Sequence, residues 1–187
     1  EVGTSLFQVY NALDVRRSVV IDRTAAQTGY NVLPVGKYAF SESTYLLGDI
    51  KVFRNSEMYL IRAEYYASIS DYTNVAAQIN TIRRVRFGFA AGTPNASSDI
   101  AVPTSDQGAW AAILAERRAE LAFEGHRYLD IRRLGKKANV GIQRAEVDFE
   151  NVGPTELDLN DHRWTLPVPQ REKSANPNIV QNPGYGQ

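Results

Sequence analysis

The chain has 187 residues, enough for one ordinary domain with a substantial core. Its 21 basic and 21 acidic residues give a net charge of zero, which argues against nucleic acid or an anionic membrane surface as a partner. It has no cysteine and no apolar run near the roughly 18 residues of a membrane span. Because it begins at Glu1 and its only methionine is Met58, we expect a piece of a longer protein.

Residues 1–54 predict a mixed lead-in. Apolar side chains between Leu6 and Leu13 recur at the spacing of one face of a short helix, which the charged residues 14–17 (DVRR) then end. The β-branched run 18–22 (SVVID) is typical of a short strand. We expect these elements to have packing partners upstream of the given sequence.

Residues 55–135 predict a helical core that begins with an αα-hairpin. Ser56 fits the N-cap of the first helix, and Ser70-Asp71 fits the turn that follows it. A second helix is expected to end at Gly88. The first helix is apolar almost all round, so we expect it to be buried between other helices, with one face formed by Met58, Ile61, Tyr65 and Ile69.

The stretch 110–134 (WAAILAERRAELAFEGHRYLDIRRL) predicts two more helices. Its apolar residues recur every three or four positions, as on the buried face of a helix. Gly125 interrupts the pattern, and a glycine in a helix interior costs about 1 kcal/mol. We therefore expect one helix at roughly 106–123 and another at 126–134, meeting at the dipeptide that ends with Gly125.

The outer ends of this helix pair also have sequence signals. Thr104 and Gln107 have the spacing of a capping box, directly after the glycine- and serine-rich loop 88–105. At the far end Gly135 is the expected stop, and basic residues next to it suit a helix C-terminus.

Ionisable side chains of both signs surround the apolar stripe of the two helices. Arg117 lies three residues before Glu120, and Glu124 lies three residues before Arg127. Side chains at this spacing are neighbours on a helix surface, so we expect each pair to form a local ion pair.

A row of carboxylates at four-residue spacing has two interpretations. Glu116, Glu120 and Glu124, with His126 beside them, either pair with basic side chains that hold adjacent helices in register or form a carboxylate site for metal. Di-metal helical bundles repeat a Glu-x-x-His motif on two helices, and this sequence has no second copy. We favour the structural interpretation, and expect no metal and no cofactor.

Residues 136–187 predict an irregular C-terminal strap. Four of the eight prolines lie between Pro167 and Pro183, too many for a helix or a central strand. The segment is nevertheless too apolar for a disordered tail. We expect an extended chain laid across the helices and packed through Trp164, Leu166, Val168, Ile179, Val180 and Tyr185.

Four segments, in this order, resemble the C-terminal region of the SusD/RagB family of nutrient-binding outer-membrane lipoproteins. The lead-in motif 14–17 (DVRR) is also similar to the way in which that family enters this region. The four segments are 56–66 (SEMYLIRAEYY), 79–88 (INTIRRVRFG), 116–135 (ERRAELAFEGHRYLDIRRLG) and 166–185 (LPVPQREKSANPNIVQNPGY).

The resemblance implies a mostly α fold of tetratricopeptide-like hairpins with long irregular loops and the extended C-terminal strap. It implies a protein on the outer face of the outer membrane, anchored through a lipidated cysteine that this chain lacks. Such a protein captures glycans or other nutrients for a SusC-type TonB-dependent transporter and catalyses no reaction. Residues 1–187 would then be one C-terminal domain, mainly the scaffold.

The family's ligand-binding aromatic residues lie upstream of the matched region, so no ligand-contact residue is assigned here. No catalytic or metal-binding residue is assigned either. The residues that match the family's structural motif are Glu116, Arg117, Glu120, Phe123, Glu124, Gly125, Arg127, Asp130 and Arg133.

Two other functions are compatible with the sequence. A helical-repeat module that binds peptides would expose a concave groove, which the irregular repeat spacing and the long strap argue against. A glycoside hydrolase would need two carboxylates across a cleft, and many carboxylates here already have arginines near them in sequence. Trp110 and Trp164 are candidates for stacking on sugars, but both lie in phase with apolar residues, so core packing is expected.

Overall fold

The computed structural model describes residues 4–20, 35–38, 52–88, 92–143 and 156–186. The described part is mostly helical, which confirms the predicted fold class. Its helices are α1 (Thr4–Phe7), α2 (Val15–Val20), α3 (Asn55–Ser68), α4 (Tyr72–Gly88), α5 (Asp106–Glu120), α6 (His126–Ala138) and α7 (Gln170–Ala175). None of the described helices combines the length and apolar character needed to cross a membrane.

Helices α3 and α4 form the predicted αα-hairpin, and the chain reverses between them at Ser70, whose φ is 58°. Ala63, Ala67 and Ala76 are buried between the helices. Because these side chains are small, the two helix axes can approach each other closely. Helix α4 ends at Gly88 as expected, and a Cβ on that residue would lie 1.8 Å from the carbonyl oxygen of Thr93.

The expected burial of the α3 stripe is wrong. Met58, Ile61, Tyr65 and Ile69 are between 44% and 60% exposed, and Leu60 lies on the buried face with the alanines. Within the described residues α3 packs on α4 and α5 through that narrow face, and no element covers the opposite side. Helix α3 also begins at Asn55, with Arg54 at the N-cap position and not Ser56.

Helices α5 and α6 pack against each other and against the hairpin, but their ends differ from the predicted ones. Ser105, not Thr104, caps α5: its Oγ accepts a hydrogen bond from the backbone N–H of Gly108 at 3.1 Å. Helix α6 runs through Gly135 to Ala138, and Asn139, whose φ is 52°, is its C-cap. Gly135 permits a close approach instead, because a Cβ there would lie 2.8 Å from the carbonyl oxygen of Val140.

The lead-in contains two short helices, α1 and α2, with turns and irregular chain in its other described residues. Helix α2 occupies Val15–Val20, so the first part of the run 18–22 is helical and not a strand. Residues 21 and 22 lie outside the described residues. Burial explains the difference: Val20 packs with Tyr10 and Ala119 in a small core cluster, and such tertiary packing overrides the weak β propensity of valine.

The main core lies where the hairpin meets α5 and α6. Trp110 and Ile113 of α5 pack there with Ile79 of α4 and Leu134 of α6. Trp110 is 7% exposed and Trp164 is 8% exposed, so both tryptophans are core residues as the sequence predicts.

The C-terminal segment is irregular, as expected. A two-residue strand β1 (Ile142–Gln143) pairs antiparallel with β2 (Glu156–Leu157), and α7 is a short helix directly after Pro169. Of the six apolar residues expected to pack the strap on the helices, Trp164 is buried, and Val168, Ile179 and Tyr185 are partly buried. Leu166 is 66% exposed and Val180 is 85% exposed among the described residues.

Candidate functional site

The carboxylate row predicted from the sequence exists and is buried. Glu116 and Glu120 lie one turn apart on α5, and Glu124 follows in the turn before α6. Their side chains are 1–2% exposed. An ionised carboxylate at such a depth is costly unless cations and hydrogen-bond donors compensate it.

Each carboxylate of the row has at least two cationic partners. Arg16 of α2 and Arg83 of α4 lie 2.6 and 3.1 Å from the two oxygens of Glu116. Glu124 forms ion pairs with Lys37 and, at 3.1 Å, with Arg54.

Glu120, in the centre of the row, has three partners: Arg86 at 2.6 Å, Arg54 at 3.1 Å and Arg16 at 3.2 Å. Arg16 is further held by Asp14, whose carboxylate accepts from its guanidinium at 2.7 Å. The row and its cations therefore connect the lead-in, α4 of the hairpin and α5.

The electrostatic balance around Glu120 keeps its carboxylate ionised. Burial raises the pKa of Glu120, but Arg86, Arg16 and Arg54 outweigh it and hold the pKa at about 2. Burial lowers the pKa of Arg16, and its contacts with Asp14 and Glu116 more than reverse this effect. A general acid or base near neutral pH requires the opposite displacement of a carboxyl pKa, which the cluster does not provide for Glu120.

A second set of ion pairs lies on the other side of α5. Arg117 is 2.8 Å from Asp130 of α6 and 3.3 Å from Glu64 of α3. Arg133 bridges the same two carboxylates. His126 belongs to this side and not to the row, because its Nδ1 lies 3.8 Å from Glu57.

The two local ion pairs expected from the sequence do not form. Arg117 pairs with Asp130 and Glu64 and not with Glu120. Arg127 does not reach Glu124 and instead lines a cavity on the opposite side of the turn. For Arg117, buried tertiary partners replace the exposed contact because they satisfy a charge that the core has already removed from water.

The turn between α5 and α6 completes the motif. Gly125 has a φ of 83° and Phe123 a φ of 61°, both in the left-handed region. The backbone oxygens that the turn leaves without helical partners accept hydrogen bonds: Lys37 donates to Ala122 at 2.9 Å and Tyr38 donates to Phe123 at 2.9 Å.

The structure therefore places the nine predicted motif residues in four settings. Three form the row, three form the second set of ion pairs, two shape the turn, and Arg127 lines the cavity. The partners that spacing alone missed are Lys37 and Arg54. Arg16, Arg83 and Arg86 fall inside the segments that carry the family resemblance, so that resemblance was a signal for them.

Where described, the chain contains no group of three or more histidine or acidic residues arranged to hold a metal ion. The fold and the ion pairs define a helical-hairpin scaffold locked by buried charges. The sequence profile of the SusD family matches residues 24–185, and the chain belongs to that family. Among curated proteins no significant relative is found.

Solved structures have the same fold. A Bacteroides vulgatus protein described as sugar-binding superposes with a TM-score of 0.71 at 26% identity, over 98% of this chain and 39% of its own. A SusD superfamily protein of Bacteroides fragilis gives 0.70 at 22% identity, over 98% and 40%. NanU of B. fragilis gives 0.67 at 21%, over 97% and 38%. The chain thus spans about two fifths of these proteins.

Proposed function

We propose that this chain is the scaffold-bearing C-terminal part of a non-catalytic, glycan- or nutrient-binding protein of the outer membrane. The observation that carries the proposal is the family match over residues 24–185 together with the span of about two fifths of similar solved proteins. In this proposal a SusC-type TonB-dependent transporter receives the ligand, and a lipidated cysteine outside the given sequence anchors the protein.

The buried charges support a scaffold role. The carboxylate row and its cations join segments that are distant in sequence, from Arg16 to Glu124. Such a cluster fixes the relative positions of helices, and losing one partner exposes the others to an uncompensated buried charge. A rigid base of this kind suits a protein whose ligand site lies in another region of the polypeptide.

The exposed face of α3 supports a longer protein. Met58, Ile61, Tyr65 and Ile69 form a continuous apolar stripe at helical spacing. Contiguous exposed apolar patches mark surfaces that pack against other protein. Further helical hairpins of the same polypeptide would cover this stripe. An independent peptide-binding module would leave the stripe free for partners, and this is the second candidate function.

The ion pairs of the buried carboxylates argue against a glycoside hydrolase. Each of the three carboxylates of the row forms ion pairs with at least two cations, and the pKa of Glu120 lies far below that of a general acid. Two carboxyl groups that flank a substrate must have one proton between them near neutral pH.

Calorimetry tests the proposal. The 187-residue chain, titrated with neutral starch, mannan and xylan oligosaccharides, should bind them weakly or not at all. A longer protein that ends in this chain should bind at least one of them, and neither should release hydrolysis products.

Two results would contradict the proposal. Micromolar binding of a neutral oligosaccharide by the 187-residue chain would move the ligand site into these residues. Turnover that a single Asp or Glu substitution removes would support the hydrolase instead.

A further inference from the structure

A cavity of about 860 Å³ opens beside the turn between α5 and α6. Its volume is in the range of small-molecule sites, roughly 300–1,000 Å³. Much of the described wall is apolar, formed by Leu6 of α1, Tyr128 of α6, and Val140 and Ile142 after α6. None of the ion pairs of the carboxylate row extends into it.

Two guanidinium groups also line this cavity, Arg118 of α5 and Arg127 of α6. Arg118 donates a hydrogen bond to Ser5 Oγ at 2.8 Å, and within the described residues no carboxylate reaches it. Arg127 has neither a hydrogen bond nor an ion pair in the described part of the chain. Both side chains are partly buried, so their charges have lost hydration without forming an ion pair with any carboxylate that the structure describes.

The electrostatics agree with this geometry. Burial lowers the pKa of Arg118, and among the described residues no carboxylate opposes the effect. Burial lowers the pKa of Arg127, the charge of Arg118 lowers it further, and Asp130 only partly compensates. The two cations therefore act on each other across the cavity.

Elsewhere in the same helix pair, two cations share a buried carboxylate, which Arg118 and Arg127 do not have among the described residues. Glu116 lies between Arg16 and Arg83, and Asp130 lies between Arg117 and Arg133. Glu124 likewise lies between two cations. Arg118 and Arg127 form a further pair of cations in the same helix pair, with no described carboxylate between them.

The first turn of α6 adds to the positive potential. Gly125, Arg127 and Tyr128 of this turn line the cavity, and α6 begins with no side-chain cap and no acidic residue. The N-terminus of a helix of 13 residues carries unpaired N–H groups and a partial positive charge, both of which favour an anion.

We infer that this cavity is a binding site for a small organic acid, whose carboxylate lies between Arg118 and Arg127 and whose body packs on the apolar wall. Arginine binds carboxylates through paired N–H donors, and the wall favours an organic anion over a free inorganic one. The inference goes beyond the proposed function, because the site lies in this chain and selects for charge.

Pairs of acidic and neutral ligands of similar shape test whether the cavity prefers a carboxylate. Acetate, benzoate and D-glucuronate are titrated against acetamide, benzamide and D-glucose at constant ionic strength, with calorimetry and the thermal midpoint as readouts. At least one acid should bind more tightly than its neutral counterpart. Arg118→Gln and Arg127→Gln should each weaken that acid by about ten- to a hundredfold, as expected for loss of a charged hydrogen bond. Arg132→Gln, on the exposed side of α6, is the control and should change nothing.

The stability of the protein without added ligand tests whether a carboxylate of the protein itself already pairs with Arg127. Arg127→Gln removes an uncompensated buried charge, so its thermal midpoint should equal or exceed that of the unsubstituted protein. Arg117→Gln breaks a compensated pair and should lower the midpoint clearly. The inference is overturned if no acid is preferred, if the Arg118 and Arg127 variants bind like the Arg132 control, or if Arg127→Gln is destabilised like Arg117→Gln. The last result would mean that a carboxylate of the protein itself already fills the site.

Discussion

At the scale of single residues, the turn between α5 and α6 contains two left-handed residues, and Gly125 is the one without a Cβ. Gly125 has a φ of 83°, and a Cβ built there would meet no atom within 4 Å. Glycine is therefore favoured at this position by its backbone conformation and not by a lack of space. A residue with a Cβ is about 1–2 kcal/mol less stable in the left-handed region.

Gly125→Ala should accordingly lower the free energy of unfolding by about 1–2 kcal/mol. In an ordinary helix interior the same change would stabilise the protein by several tenths of a kcal/mol. Thermal unfolding measures the difference, with Gly186→Ala as a control because Gly186 has open space around it and no left-handed angle. A raised midpoint for Gly125→Ala would contradict this account of the turn.

The pKa of Glu120 gives a prediction about acid. Its folded-state pKa of about 2 lies below the ordinary value of 4.5, so the ionised carboxylate stabilises the fold above about pH 5. This contribution, about 3 kcal/mol, is lost as the pH falls from about 5 to about 2.

Glu120→Gln should therefore show a shallower loss of stability in that window, measured by urea unfolding at each pH. The variant Glu172→Gln, on the exposed surface of α7, should keep the full acid dependence. Equal slopes for Glu120→Gln and the unsubstituted protein would place the acid sensitivity elsewhere.

Residue spacing predicted which side chains carry the network but not how they pair. The rule for neighbours on a helix pairs Arg117 with Glu120, yet α3 and α6 supply buried carboxylates to Arg117 instead. The rule describes an isolated helix in water. Partners such as Lys37 and Arg54 come from distant segments, and nothing in the local sequence marks them.

At the scale of elements, one side chain anchors the C-terminal segment. Trp164 is buried against Tyr128, with ring centroids 5.8 Å apart, and its indole N–H donates to the carbonyl of Asp158 at 2.6 Å. Tyr128 in turn donates its hydroxyl hydrogen to the carbonyl of Trp164 at 2.6 Å. Leu166 and Val180, which follow in the strap, are largely exposed.

Trp164→Ala should therefore destabilise the protein by about 3–5 kcal/mol. Val180→Ala, in the same segment but 85% exposed, should change the stability by no more than about 0.5 kcal/mol. Chemical unfolding of the two variants separates an anchored segment from one packed along its length. A comparable loss of stability in both variants would instead support the sequence prediction of a strap packed along its length.

The existence and type of the main helices were predictable because their apolar periodicity is long and regular. Their boundaries were not, since Ser105 and Asn139 end helices through hydrogen bonds and backbone angles that neighbouring residues could also have supplied. The prediction that the apolar stripe of α3 is buried was wrong for a different reason. Periodicity shows that a face is apolar, but not whether the described part of the chain covers it.

At the scale of the whole molecule, a buried charge cluster joins α2, α4 and α5 and the segments around Lys37 and Arg54. Buried ion pairs often add little to stability compared with apolar residues, yet removing one partner is strongly destabilising. We therefore expect the ion pairs of the carboxylate row, with Glu120 at its centre, to hold these elements in their relative positions.

The most direct test is the free energy of unfolding of Glu120→Gln at neutral pH, measured by guanidinium titration beside Glu172→Gln. Loss of the central charge removes the one ion pair that Arg86 makes within the described residues and one carboxylate partner each from Arg16 and Arg54, so the account predicts a cost of about 3–5 kcal/mol. Glu172→Gln should cost no more than about 0.5 kcal/mol. An unchanged or higher stability for Glu120→Gln would contradict the scaffold role, because a carboxylate kept at a cost to stability is typical of a functional site.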